Sequence, residues 1–197
     1  MNDTKHWTEY EINKIIPLEK DTKVFFKANG QNERISPPYI TGGKSLYYTF
    51  VMKGKIAASG NIQYLLDETG SRADVPSYCY NSMFGNNLAL TQAPSLPATT
   101  LADSCYTSMF FNCSSLTKAP ALPATSLADK CYNIMFANCT ALTQAPALPA
   151  TTLAKYCYNS MFGRCSKFSE CHMKVEMKGV YNTSTHGNTT KTVIYDL

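Results

Sequence analysis

The sequence predicts an α/β repeat. It reads as a short leucine-rich-repeat solenoid of about four rungs, with an N-terminal antiparallel β module and a C-terminal β-hairpin cap. Three observations predict it. The segments Leu90–Phe110, Leu116–Phe136 and Leu142–Phe162 spell nearly the same words. Cys79, Cys105, Cys131 and Cys157 fall 26 residues apart, as do Cys113, Cys139 and Cys165. Tyr80, Tyr106, Tyr132 and Tyr158 keep that step, and so do the Met-Phe pairs that begin at Met83, Met109, Met135 and Met161. A unit this short cannot bury its apolar face alone and does so only against its neighbours.

The chain divides into residues 1–73, an N-terminal β module with a capping link; 74–168, the repeat array; and 169–197, a C-terminal β cap. In the first part, Thr22–Ala28 and Leu46–Met52 are rich in aromatic and β-branched residues and read as strands. The turn-rich QNERISPPYITGGK lies between them, and Asn61–Leu66 reads as a short helical link. Within a copy, Leu101, Cys105 and Met109 recur every fourth position, beside Ala102, Tyr106 and Phe110. This spacing predicts a helix over 101–111, with equivalents near 75–85, 127–137 and 153–163. Thr100 with Asp103, and Ser126 with Asp129, resemble capping boxes, and Asp74 would cap the first copy ahead of Pro76.

The other half of each copy, LTQAPALP, is predicted to be extended. Pro94, Pro120 and Pro146 cannot donate to a ladder, so its strand must be short, and Pro97, Pro123 and Pro149 stop it. After Phe168 the repeat breaks. Cys171, Met173, Val175 and Met177 alternate with polar residues as a strand, NTSTHGN turns the chain, and Thr192–Leu197 returns as a last strand.

LTKAPALPATSLADKCYNIMFANCTAL (Leu116–Leu142), together with the Phe110-x-x-Cys113-x-x-Leu116 turn that feeds into it, resembles the leucine-rich repeats of the BspA type, found in bacterial surface proteins and some phage-encoded ones. The match covers roughly residues 74–168, and YTFVMKGKIAASGNIQYLLD (Tyr48–Asp67) resembles a segment preceding such repeats. The chain departs from that pattern in placing Ala-Pro where aliphatic residues are common. The resemblance implies ligand or surface binding rather than catalysis.

Charge and motifs narrow the function classes. The formal net charge is +4, and residues 79–157 carry only Asp103, Lys118, Asp129, Lys130 and Lys155. No basic stripe of the kind that neutralises phosphates exists, so no nucleic-acid partner is expected. Apolar runs are too short to span a bilayer, so no membrane insertion is expected. MNDTKHWTEYE has no apolar leader core, so the chain either does not use that export route or starts after a trimmed signal.

There is no G-x-S-x-G, no H-E-x-x-H and no phosphate-cradling glycine loop, so no enzyme is expected. Cys171 and His172 are neighbours that a strand would point to opposite faces. With no C-x-x-C, and only His6, His172 and His186 as imidazoles, neither metal nor cofactor is expected. The cysteines are expected to be free, buried thiols, because Asn87 stands where Cys113, Cys139 and Cys165 stand, which suits a turn-stabilising side chain and not an obligatory disulfide. The Met and Phe columns should be core, while the Tyr column suits core or ligand contact equally. The sequons at Asn112, Asn138, Asn182 and Asn188 read as turn residues.

Positions that vary between copies mark candidate contacts. Gln92, Lys118 and Gln144 form the candidate ligand-binding column on the strand side, with Lys130 and Tyr156, and the Phe111/Ala137 variation, on the other side. Four rungs about 4.8 Å apart give a face on the order of 250 Å², against about 800 Å² per partner in stable complexes. Weak, multivalent recognition of a protein or glycan on a cell surface is therefore expected. The location would be extracellular or cell-surface, or alternatively a virion component. The competing reading is a structural spacer or assembly subunit with no external ligand.

Overall fold

The computed structural model describes residues 15–28, 30, 32, 35 and 48–168, together with the backbone of four two-residue strands at 172–173, 185–186, 189–190 and 194–195. Successive copies lie one on the next. The Tyr80, Tyr106, Tyr132 and Tyr158 rings stack at 5.7, 5.9 and 5.8 Å between centroids. Phe84, Phe110, Phe136 and Phe162 form a second column at 5.5, 5.5 and 5.7 Å. Each offset pair contributes about 0.5–1.5 kcal/mol beyond the area it buries. With Met109, Met135, Cys105 and Cys131 fully covered beside them, the expected Met and Phe core is the observed one. The Tyr column joins it, since Tyr80, Tyr106 and Tyr132 are at most 1% exposed.

The helices expected at 75–85, 101–111, 127–137 and 153–163 do not form. These stretches are runs of overlapping turns. In the second copy the N–H groups of Cys105, Thr107, Met109, Phe111 and Cys113 each donate to the carbonyl three residues back. The intervening N–H groups of Ser104, Tyr106, Ser108, Phe110 and Asn112 instead donate to the next copy, at Asp129, Cys131, Asn133, Met135 and Ala137, over 2.8–3.0 Å. Ser104, Ser108 and Asn112 have φ of 57°, 54° and 60° at the third position of alternate turns, the mark of a type II turn. The same bonds recur at the junctions on either side. Side chains in this ribbon repeat every four residues, which over eleven residues is hard to separate from a helical 3.6. The ribbon prevails because stacking satisfies the N–H groups that a helix would use internally.

The supposed caps serve these junctions too. Asp103 Oδ1 accepts from Asp129 N at 3.2 Å, and Asp129 Oδ1 from Lys155 N at 2.9 Å. Strand β2 (Asp74–Val75) pairs in parallel with β4 (Thr100–Leu101), and Ser126 bridges Thr152 in the same sense. Of the LTQ segments, only Leu90–Gln92 is a strand, β3, pairing in parallel with β1 (Ile56–Ala57). The equivalents at 116–118 and 142–144 are irregular. Pro120 and Pro146, which follow them, have no N–H to give to a ladder.

The expected antiparallel module is absent among the described residues: 22–28 and 48–52 carry no strand, and β1 is parallel to its partner. Residues 50–62 instead form a partial rung beneath the first copy. Phe50 stacks on Phe84 at 5.4 Å and its N–H donates to Met83 O at 2.8 Å, as Phe84 N does to Met109 O. Ile56 aligns with Leu90 and Asn61 with Ser95, an offset of 34 rather than 26. The extra residues fall between Ile62 and Asp74. The helical link expected at Asn61–Leu66 is there as a 3-10 turn, Ile62–Leu65, capped by the Asn61 side chain on Gln63 N.

The loop that follows is tied by Asp67, which accepts from the N–H groups of Thr69, Ser71 and Arg72 and from the Thr69 hydroxyl. The Thr69 hydroxyl does most to hold that carboxyl below the usual range. Arg72 closes the loop with a two-pronged pair to Asp74 at 2.8 and 2.7 Å.

At the C-terminus, β5 (His172–Met173) pairs in parallel with β8 (Ile194–Tyr195). The strands expected at 171–177 and 192–197 to fold back on one another thus run parallel where described, and the antiparallel pair is instead β6 (Thr185–His186) with β7 (Thr189–Thr190). The side chains of the predicted cap, including Cys171 and His172, lie outside the described residues, as do His6, Asn182, Asn188 and most of QNERISPPYITGGK.

Candidate functional site

A groove of about 320 Å³ lies on the Ala-Pro side of the array, between the third and fourth copies. Lys118 and Gln144 stand on its rim, exposed, and Pro123, Ala147 and Pro149 line it. The prolines make the groove. They prevent a continuous ladder there, and small alanines between them leave space. Gln92 is exposed at the end of β3 but does not reach this groove. The structure therefore brings two members of the candidate column together and leaves the third apart. Among the described residues Lys118 is the only charge at the groove, which otherwise offers apolar contact and one carboxamide.

Lys130 and Tyr156 are exposed on the turn side, at successive left-handed positions with φ of 56° and 57°. Lys155 Nζ sits 5.4 Å from the Tyr156 ring centroid. None of the three belongs to the Lys118–Gln144 groove.

The cysteines form two internal ladders. The seven described ones are free and buried. Cys113, Cys139 and Cys165 each donate Sγ–H to a carbonyl one copy back, on Phe84, Phe110 and Phe136, at 3.1 Å. Asn87 does the same work with its amide, donating to Phe50 O at 2.5 Å and Phe84 O at 2.9 Å while accepting from Met52 N at 2.7 Å. The equivalence of Asn and Cys at this position is thus a matter of bonding to the neighbouring turn. Burial pushes the Cys113 and Cys131 thiols up to about 12, and Cys105 and Cys139 upward as well. Groups so held carry almost no thiolate at neutral pH, the form a nucleophile or metal ligand needs. Among the described residues no cluster of three His, Cys, Asp or Glu could hold a metal ion, and no helix is long and apolar enough to cross a membrane.

The Tyr column ends differently at its two lower members. Tyr80 Oη donates to Gln63 Oε1 at 2.9 Å and approaches Ile62 O at 3.2 Å. The buried Tyr106 Oη has no hydrogen-bond partner among the described residues. Gln63 comes from the inserted loop and is replaced in the next copy by Pro97, which has no side-chain acceptor.

A second cleft, of about 430 Å³, opens on the turn side at the N-terminal end, bounded by Val51, Gly85, Ser108 and Phe111. Sequence reasoning marked Phe111 as variable between copies but missed the cleft, because its other wall comes from the out-of-period rung at 50–62. No protein-family model, curated protein or solved structure matches the chain.

Proposed function

We propose that the chain is a non-catalytic recognition module, a short solenoid of the BspA leucine-rich-repeat type. It would bind a protein or glycan weakly and gain strength from multivalent display on a bacterial surface or virion. The observation that carries this reading is the groove in which Lys118 and Gln144 flank an Ala-Pro floor. A shallow, charge-poor groove with one cation and one carboxamide suits a polar partner presenting acceptors. The rung spacing supports the size argument as well: three steps of 5.7–5.9 Å give a face only about 17 Å tall.

The test is binding of a streptavidin-tetramerised full chain to protein and glycan arrays and to intact cells. Lys118→Ala with Gln144→Ala should cut binding at least about tenfold with melting unchanged, because exposed substitutions seldom cost more than about 0.5 kcal/mol. Gln92→Ala alone should cost less. Should Lys130→Ala with Tyr156→Ala abolish binding while the groove variant does not, the turn side is the recognition face. Should no array or cell bind the tetramer, the spacer reading takes its place.

A further inference from the structure

One column of the array breaks its own rule. The position after the stacked phenylalanines holds Gly85, Ala137 and Gly163 in three copies but Phe111 in the second. Phe111 is partly exposed, whereas Ala137 is buried. A large ring left open to solvent in a column of small residues gives the core nothing that its neighbours lack.

What the ring does is build a wall. Val51 precedes Gly85 by the offset that places Phe50 on Phe84, and Phe111 follows Gly85 by the offset that places Phe110 on Phe84. Val51 and Phe111 thus stand two rungs apart, about 11 Å from the 5.4 and 5.5 Å ring steps, with Gly85 as the floor between them. Val51 is 83% exposed. A side chain at Gly85 would start to fill the slot, since an added Cβ would already lie 3.2 Å from Ser82 O.

The rim is polar and uncharged. Among the described residues, no ionisable side chain lines the cleft. Asn86 spends its Oδ1 on Asn112, and its amino group and the Ser108 hydroxyl have no partner among the described residues. Thr49 spends its hydroxyl proton on Ser82 O and keeps lone pairs to accept with. The volume of about 430 Å³ lies within the about 300–1,000 Å³ of small-molecule sites.

We infer that this cleft binds one pyranose ring of a neutral sugar, its C–H face against Phe111 and its hydroxyls on Ser108, Asn86 and Thr49. A charged ligand would find no countercharge among the described lining residues. A wholly apolar one would leave the Asn86 and Ser108 groups desolvated and unpaired. A pyranose presents an apolar face and a hydroxyl edge together. The site shares no residue with the Lys118–Gln144 groove, so it stands whether or not that groove binds anything.

The test is an amide ¹H–¹⁵N titration of the full chain with the methyl glycosides of glucose, galactose and mannose and with N-acetylglucosamine. At least one should shift the Thr49, Gly85, Asn86 and Ser108 amides, with a Kd on the order of 1 mM for a single ring. Phe111→Ala, which copies Ala137, should keep the fold and weaken that sugar at least tenfold, and Ser108→Ala should weaken it about threefold. Lys118→Ala with Gln144→Ala should leave the titration unchanged. The inference is overturned if no sugar moves these amides, if Phe111→Ala binds as tightly as the parent, or if N-acetyl-leucinamide moves them where sugars do not. The last result would make the cleft a receptor for a protein side chain.

Discussion

Removing one oxygen from Tyr80, and separately from Tyr106, tests how the ring column is terminated. Tyr80→Phe leaves Gln63 Oε1, on a side chain 0% exposed, without its donor. Stranding a buried acceptor costs about 1–3 kcal/mol. Tyr106→Phe removes a hydroxyl that is buried, 1% exposed on its residue, and without a hydrogen-bond partner among the described residues. That hydroxyl gives up its water on folding without compensation, so its removal should stabilise by about 1–3 kcal/mol. In a chain of 197 residues each kcal/mol moves Tm by about 2–4 °C. Taking about 2 kcal/mol for each, the parent should melt about 4–8 °C above Tyr80→Phe and as far below Tyr106→Phe. Circular dichroism melts and urea titrations on the three proteins decide it. The ring stack is preserved in both variants, so a common loss of stacking cannot produce opposite signs. If both variants shift Tm the same way by similar amounts, the reasoning fails.

Two further outcomes follow from the buried ladders. Because Cys113 and Cys131 are raised to about 12 while an unfolded thiol titrates near 8.5, the unfolded chain loses protons first as pH rises. The thiol contribution should therefore be complete below about pH 8.5 and be lost progressively towards pH 12, with Tm falling across that window and thiol reagents reacting only as the protein unfolds. Asn87→Ala should cost about 2–4 kcal/mol in urea titration, since three hydrogen bonds to the 50–52 segment and Phe84 vanish together. Asn87→Cys, which matches Cys113, should recover part of that loss.

The period and the core columns were legible because the copies repeat their buried residues, with Asn87 in place of cysteine as the one change in these columns: Tyr106, Met109, Phe110 and Cys113 are covered just as their counterparts at 132–139 are. The local conformation was not. A four-residue repeat of inward side chains over so short a span mimics a helix, and the discriminating signal lay on the outward positions. Ser and Asn at 82, 86, 104, 108, 112, 138 and 160 are spaced by four within each copy and have φ between 50° and 64°. Asn in particular tolerates the left-handed region. Tyr78, Lys130, Ile134, Tyr156 and Arg164 adopt the same φ with no such aptitude, which hid the pattern. The partial rung at 50–62 escaped notice because its offset is 34 and only its apolar spacing survives. The groove was half legible: Lys118 and Gln144 follow from copy-to-copy variation, whereas the separation of Gln92 comes from where a groove opens between irregular segments.

The junctions between copies impose a rule on length. Each is closed by five N–H groups of the lower copy donating to five carbonyls of the upper one, and the three junctions use the same positions. Excising or duplicating one complete 26-residue unit between Asp74 and Gly163 therefore regenerates an unaltered junction, whereas a gain or loss of any other length within a turn run puts all five donors out of register. The Gln63–Ala73 stretch, which holds the eight surplus residues of the 34-residue offset, sits where no such donors are spaced. The molecule is quantised along its axis and permissive at its corner, so differences in size between chains of this construction should come as whole units or as loops at that one corner.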